Sequence, residues 1–186
     1  LETVRQRHGA LHLAVNAAGT GGIGSVLNGP VEDFERTLQT NLTGAYRCIR
    51  AEAKLMKTSG GGSIVSISSI AGSHTHHWMT AYCVAKAGLD HLTRSLGEEL
   101  APKIRVNGLA LGAIMTPALQ HTFDMDAGFR EKLIEKTPLK KVGNATDIGL
   151  AALFLCSPAG EYITGATLNI DGGLQDTNLP FRLPDL

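Results

Sequence analysis

The sequence predicts an α/β fold with a doubly wound parallel sheet, on three grounds. Short apolar runs alternate with longer stretches of helical period, the pattern of βαβ units rather than of hairpins. The 186 residues are 43% apolar, enough for one sizeable core and one domain. Glycine is in excess, 22 residues against the ~7% of an average chain, and clusters where the periodic segments stop. No internal repeat or low-complexity segment interrupts the alternation.

The elements follow in order. Leu1 to His8 reads as the last turns of a helix, stopped at Gly9 with cations near its end. Leu11 to Val15 (LHLAV) is the first strand. Pro30 opens a helix with Glu32 and Asp33 in its first turn, where the dipole favours anions. Val31, Phe34, Leu38, Leu42, Ala45, Ile49 and Ala53 then recur every three or four residues, which predicts one long amphipathic helix. Ser59 to Gly62 breaks it. Ser63 to Ser68 (SIVSIS) is the second strand, followed by a helix from about Ala81 to Leu100. Ile104 to Leu111 is the third strand. An irregular region then carries short helices near Asp126–Lys136 and Thr146–Cys156, and Ala166 to Ile170 is the fourth strand. Residues 174–186, with Pro180 and Pro184, have no period and predict an irregular arm.

Composition excludes several functions. Seventeen Lys+Arg balance seventeen Asp+Glu, so no basic excess prepares a nucleic-acid or anionic-membrane surface. No run approaches the ~18–20 apolar residues of a membrane span. Cys48, Cys83 and Cys156 are odd in number and widely spaced, with no CxxC. They predict a reduced, cytoplasmic protein without a disulfide framework or metal site.

The chemistry starts from Tyr82-Cys83-Val84-Ala85-Lys86. Residues i and i+4 share a helical face, and a cation beside a phenol lowers its pKa, so Tyr82 could exchange a proton near neutral pH. Alone this spacing is weak. Ser68 and Ser69, however, end a strand at its carboxyl end, where open α/β sheets bind ligands. Asn41 and Gly44 sit inside the long helix, where both are unfavourable, so Asn41 requires a compensating role. Asn16-Ala17-Ala18-Gly19 closes the first strand.

Together NAAG (16–19), NLTG (41–44), SSIAG (68–72), YCVAK (82–86), VNGLALGAIMTP (106–117) and ITGATLNIDGG (163–173) resemble the short-chain dehydrogenase/reductase family. The motifs keep that family's order and spacing over nearly the whole chain. Their local wording is similar to the 7α-hydroxysteroid dehydrogenase and 3-oxoacyl-[acyl-carrier-protein] reductase branches. The resemblance implies a Rossmann fold, here its C-terminal four strands and their helices, and a hydride-transfer enzyme that interconverts a secondary alcohol and a ketone using NAD or NADP. It makes Tyr82 the acid/base and has Lys86 lower the Tyr82 pKa and hydrogen-bond the cofactor ribose. Ser69 would hold the reacting oxygen, and Asn41 would anchor a proton-relay water. Asn16, Ala17 and Gly19 would line the adenosine side, with Ile67, Gly112, Ile114 and Thr116 around the nicotinamide and its phosphate. A homotetramer, built as a dimer of dimers on the two long helices and the last strand, is implied as well.

Blander readings apply to other features. Gly19-Thr20-Gly21-Gly22-Ile23-Gly24 spells G-x-G-x-x-G, yet Ser25 to Gly29 intervene before Pro30, so it predicts a loop rather than a pyrophosphate-binding turn. His74, His76 and His77 read as loop or pocket lining and not as metal ligands, and Trp78 and Met79 as walls of the substrate cavity. Cys83 reads as a packed thiol. Leu111-Gly112 replaces the family's usual Pro-Gly, which frees the backbone there and adds a donor. The family's glycine-rich turn and its NAD/NADP selector have no counterpart, and the chain opens on Leu1. The expectation is therefore one domain over 1–186, incomplete on its N-terminal side, whose first strand is an open, aggregation-prone edge. The alternative is a truncated, non-catalytic oligomerisation or binding module derived from such an enzyme.

Overall fold

The computed structural model describes residues 1–174; the arm expected over 174–186 lies, beyond Leu174, outside the described residues. Helix α1 (Glu2–His8) ends on Gly9 at φ 74°, a left-handed cap that glycine adopts without strain. Four strands follow: β1 (Leu13–Asn16), β2 (Gly62–Ser69), β3 (Ile104–Leu111) and β4 (Thr167–Ile170). They pair in parallel in the order β1-β2-β3-β4. The alternation of short apolar runs with helices therefore gives the expected parallel sheet, and each crossover carries helix. Strand β1 forms one edge, with Leu13 and Val15 about half exposed.

The long helix is not uniform. It runs as α2 (Val31–Leu38), one π-helical segment (Gln39–Gly44) and α3 (Ala45–Thr58). A π segment inserts a residue into the helical ladder, which matches the placing of Asn41 and Gly44 there. The apolar stripe is also divided: Val31 and Phe34 are exposed, whereas Ile49, Ala53 and Met56 join Ile64, Leu96, Ile104 and Val106 in one core cluster. Helix α4 (Thr80–Glu99) crosses from β2 to β3.

After β3 the chain is more ordered than its sequence predicts. Helix α5 (Pro117–Met125) precedes α6 (Ala127–Lys136) and α7 (Ala145–Cys156). Thr116 caps α5 by accepting from the Leu119 N–H, and Pro117 takes the first turn, a start signature that a nine-residue pattern alone does not reveal. Helix α7 begins on an Asn144/Asp147 capping box and packs Ala152 and Leu155 against Val65 and Leu109. Among the described residues no helix is long and apolar enough to cross a membrane.

Candidate active site

The carboxyl ends of the parallel strands gather the predicted residues. Ser69 ends β2, and its hydroxyl accepts from the Ala71 N–H (3.2 Å), capping the short 3-10 turn Ile70–Gly72. That turn leads by way of residues 73–79 to α4, whose first two turns carry Tyr82 and Lys86. Lys86 is only 4% exposed. Its Nζ donates to the Ile67 carbonyl (2.9 Å) and lies 5.5 Å from the Tyr82 ring centroid. Tyr82 is half-buried, and the Ser69 hydroxyl lies beside its phenol closely enough to favour the charged form, while also reaching the Leu111 carbonyl (3.5 Å). Serine, tyrosine and lysine thus form one cluster.

The electrostatics differ from what spacing alone implies. Burial pushes the Tyr82 phenol above its usual range, and the Ser69 hydroxyl offsets only part of that. Burial likewise holds Lys86 below the usual lysine range, with Asp90 acting against the shift. Both groups are moved toward their neutral forms. The lowering of Tyr82 expected from Lys86 is not found here: burial sets the direction, and Lys86 is not among the groups that shift the phenol.

Asn41 joins the cluster from the opposite side. It is 1% exposed, and its amide donates to the Thr20 carbonyl (2.7 Å) while accepting from the Thr20 N–H (3.0 Å). The side chain therefore compensates the unfavourable helix position by pairing both backbone groups of one loop residue. Gly19 passes beside it: a Cβ there would stand 2.7 Å from Asn41 Oδ1 and 3.8 Å from Lys86 Nζ. Sequence reading found Asn41 but not Thr20, its partner 21 residues away.

The remaining predicted positions divide. Ala17 and Gly19 are exposed beyond the end of β1, open to a ligand. The Asn16 side chain instead donates to Glu52 Oε2 on α3 (2.9 Å), so only its backbone faces the cleft end of the strand. The burial of Glu52, 8% exposed, had no sequence signal in a helix otherwise charged on its outer face. Gly112 follows β3, and its N–H donates to the Ile170 carbonyl (3.0 Å). A Cβ on Gly112 would meet Asp171 Cα at 2.8 Å, so glycine is required by the backbone of the segment that follows β4. Ile114 bridges to Gly143, and Thr116 caps α5.

The segment Gly19–Gly24 is loop, and the next helix starts at Val31, so the glycine pattern presents no helix terminus. This loop, α2 and Trp78 enclose a cavity of about 420 Å³ that reaches Thr80 and Ala81, the residues before Tyr82. A larger cavity, about 570 Å³, lies between the far ends of α3 and α4. Neither cavity is lined by Asn41, Ser69, Tyr82 or Lys86; the smaller adjoins them through Thr20 and the start of α4. His77 packs edge-on against Trp78, and no group of three His, Cys, Asp or Glu among the described residues could hold a metal ion.

Known proteins share this fold and much of this sequence. A family model described as enoyl-(acyl carrier protein) reductase matches residues 1–175. The chain is 38% identical over 179 residues to an uncharacterized oxidoreductase of Mycobacterium tuberculosis, covering 96% of this chain and 68% of that protein. It is 37% identical over 172 residues to the 7α-hydroxysteroid dehydrogenase of Escherichia coli, covering 91% of this chain and 66% of the relative. It therefore spans about two thirds of the length of these relatives. A 7α-hydroxysteroid dehydrogenase solved in complex with NADH and 7-oxo glycochenodeoxycholic acid superposes with a TM-score of 0.87 at 36% identity, over 94% of this chain and 68% of its own. A short-chain type dehydrogenase/reductase from Mycobacterium ulcerans also gives 0.87, at 35% identity, over 99% of this chain and 66% of its own. Fold, motif order and relatives agree, and the chain belongs to the short-chain dehydrogenase/reductase family.

Proposed function

We propose that the chain carries the catalytic residues of an NAD(P)-dependent oxidoreductase that interconverts a secondary alcohol and a ketone, with Tyr82 as acid/base. The observation that supports this most is the meeting of Ser69, Tyr82 and Lys86 at the carboxyl end of β2. In reduction a ketone oxygen needs a proton as it gains negative charge. Tyr82, kept in its neutral form by burial, is the group that holds one. Ser69 fixes the reacting oxygen and donates a hydrogen bond to the developing charge. The Lys86 ammonium, close to the phenol ring, steadies the phenolate left behind. Asn41 acts by holding Thr20, and with it the 19–20 segment, over Lys86. A relay water at this position would then use the Asn41 backbone, since both ends of its amide are taken.

The residues present fit the nicotinamide end of a dinucleotide. Gly19 leaves space above Lys86 that a side chain would fill. Lys86 would hold the ribose, with Ile67, Gly112, Ile114 and Thr116 about the nicotinamide and its phosphate, and Ala17, Gly19 and the Asn16 backbone toward the adenosine. When bound, NAD(P) supplies or accepts the hydride. The cavity beside Trp78 would take a small-molecule alcohol or ketone. The M. tuberculosis and E. coli relatives and the NADH-bound neighbour support this class of reaction.

The same reading treats residues 1–186 as one domain, in a cytoplasmic homo-oligomer arranged as a dimer of dimers. The single parallel sheet supports the first part. Exposed Leu150 and Leu153 on α7, with Leu168 on β4, support the second. No nucleic acid and no membrane is included as a partner. The test is fluorescence titration of NADH and of NADPH with the full chain. Saturable quenching of either supports the enzyme. Quenching of neither favours the alternative, a non-catalytic module derived from such an enzyme.

A further inference from the structure

One ionisable side chain near the cluster has no part in the chemistry above. Asp90 follows Lys86 by four residues on α4, so the two share a helical face, with Asp90 one turn further from Tyr82. Its carboxyl is turned under the 3-10 turn Ile70–Gly72. A Cβ on Gly72 would collide with Asp90 Oδ2 and stand 3.1 Å from the Lys86 carbonyl oxygen. Asp90 Oδ1 is buried without a hydrogen-bond partner. Burial raises the Asp90 carboxyl above its usual range; Ser68 Oγ, which makes no well-aligned hydrogen bond of its own, faces this carboxyl and offsets part of that shift, as do Arg94 and Lys86.

A carboxylate so placed is costly unless a cation compensates it. The charged groups that bear on it are Lys86 and Arg94, both on α4. Strand β2 contributes only the Ser68 hydroxyl, and the turn Ile70–Gly72 carries no charged side chain. Arg94 is exposed and engages His91 (3.3 Å), which leaves Lys86, one turn back on α4, as the buried cation that acts on Asp90 through space rather than by direct contact. From the other direction, Asp90 is the one charge among the described residues that acts on the Lys86 ammonium. Its other neighbours, the Tyr82 ring and the Ile67 carbonyl, are neutral.

We propose that Asp90 is a positioning residue of the proton-transfer centre, whose carboxylate, seated between Ser68 and the Gly72 turn, supplies the counter-charge that keeps the Lys86 ammonium protonated and in place. This rests on the assignment of Tyr82 and Lys86 to the chemistry. It also gives Gly72 a reason: the turn must pass over the carboxylate without a side chain.

Nuclear magnetic resonance of the full chain, with lysines labelled at Cε, reads the titration of Lys86 directly; the signal is the one lost in Lys86→Arg. Asp90→Asn preserves shape and removes charge. It lowers the Lys86 midpoint by about one pH unit, the scale of a nearby opposite charge in a buried site. An unchanged midpoint overturns the proposal. Coupling between two sites is reciprocal, so in Lys86→Met the Asp90 carboxyl must titrate at higher pH than in the wild type. This second measurement decides the matter where Asp90→Asn does not fold, and identical carboxyl titrations overturn the proposal equally. Neither readout uses turnover. A Tyr82→Phe protein that kept its activity would sink the functional reading and leave the Lys86–Asp90 coupling measurable on its own.

Discussion

At Gly19 the chain passes so close to the middle of a helix that an added methyl would stand 2.7 Å from Asn41 Oδ1. Gly19→Ala must therefore push the Asn41 amide off both backbone groups of Thr20. Two buried polar groups would lose partners, at about 1–3 kcal/mol. The expected outcome is a lower urea midpoint together with at least tenfold weaker NAD(P)H quenching, because the loop over Lys86 moves. Unchanged stability and binding would show that the clamp holds nothing. Asn41 was legible in the sequence as a misfit: periodicity marked a helix, and a polar residue in its interior asked for a partner. The partner was not legible, because nothing in a 3.6-residue period points across 21 residues to a loop. Asn16 shows the converse. Its motif was plain, yet its side chain belongs to Glu52, a contact between strand end and helix that only packing decides.

Elements were legible where they were long and periodic and obscure where they were short. Strands β2 and β3, eight residues each and largely buried, stand out by Ile64, Val65 and Ile67 and by Ile104, Val106, Leu109 and Leu111 between turn-forming segments. Helix α5 escaped because Ala118, Leu119 and Phe123 are too few to define a face, although Thr116-Pro117 announced its start. The link between β3 and α7 was invisible as well. Arg105 reaches from the strand to donate to the carbonyls of Leu155 (2.6 Å), Gly160 (2.8 Å) and Ile163 (3.2 Å), which gather the end of α7 and the following turn. A strand arginine reads in sequence as a solvated charge. Arg105→Leu removes the donor that joins those acceptors but leaves Ser63 Oγ on Leu155, the Ile163 N–H on Gly160 and Asn107 on Ile163, so the urea-derived stability should fall by about 1–2 kcal/mol. A loss below ~0.5 kcal/mol would mean that water replaces the guanidinium at no cost. Neighbouring Asn107, which donates to the Ile163 carbonyl and accepts from the Ala166 N–H, holds the same turn and limits how far it can relax.

Across the described residues as a whole, four parallel strands place the predicted site segments at one end of the sheet, which is why motifs scattered from Asn16 to Thr116 converge. That convergence was legible from motif order. The charge balance inside the cluster was not, since burial depends on the assembled fold. Burial also shapes the response of the whole domain to pH. It holds Glu52 above the usual carboxylate range, and the Asn16 hydrogen bond offsets only part of this. A folded state that binds this proton more tightly than the unfolded chain loses stability as pH rises from the ordinary carboxylate value through the raised one. Glu52→Gln, which still accepts from Asn16, should have a higher Tm than the wild type at neutral pH and little advantage near pH ~4. Equal melting at both pH values would contradict the burial assigned to Glu52. The central claim, that Tyr82 moves the proton, is tested most directly by Tyr82→Phe in the full chain, with nicotinamide absorbance following reduction of a ketone panel that includes a 7-oxo bile acid. The account predicts turnover lowered about a thousandfold with NAD(P)H quenching unchanged; turnover within tenfold of the wild type would contradict it.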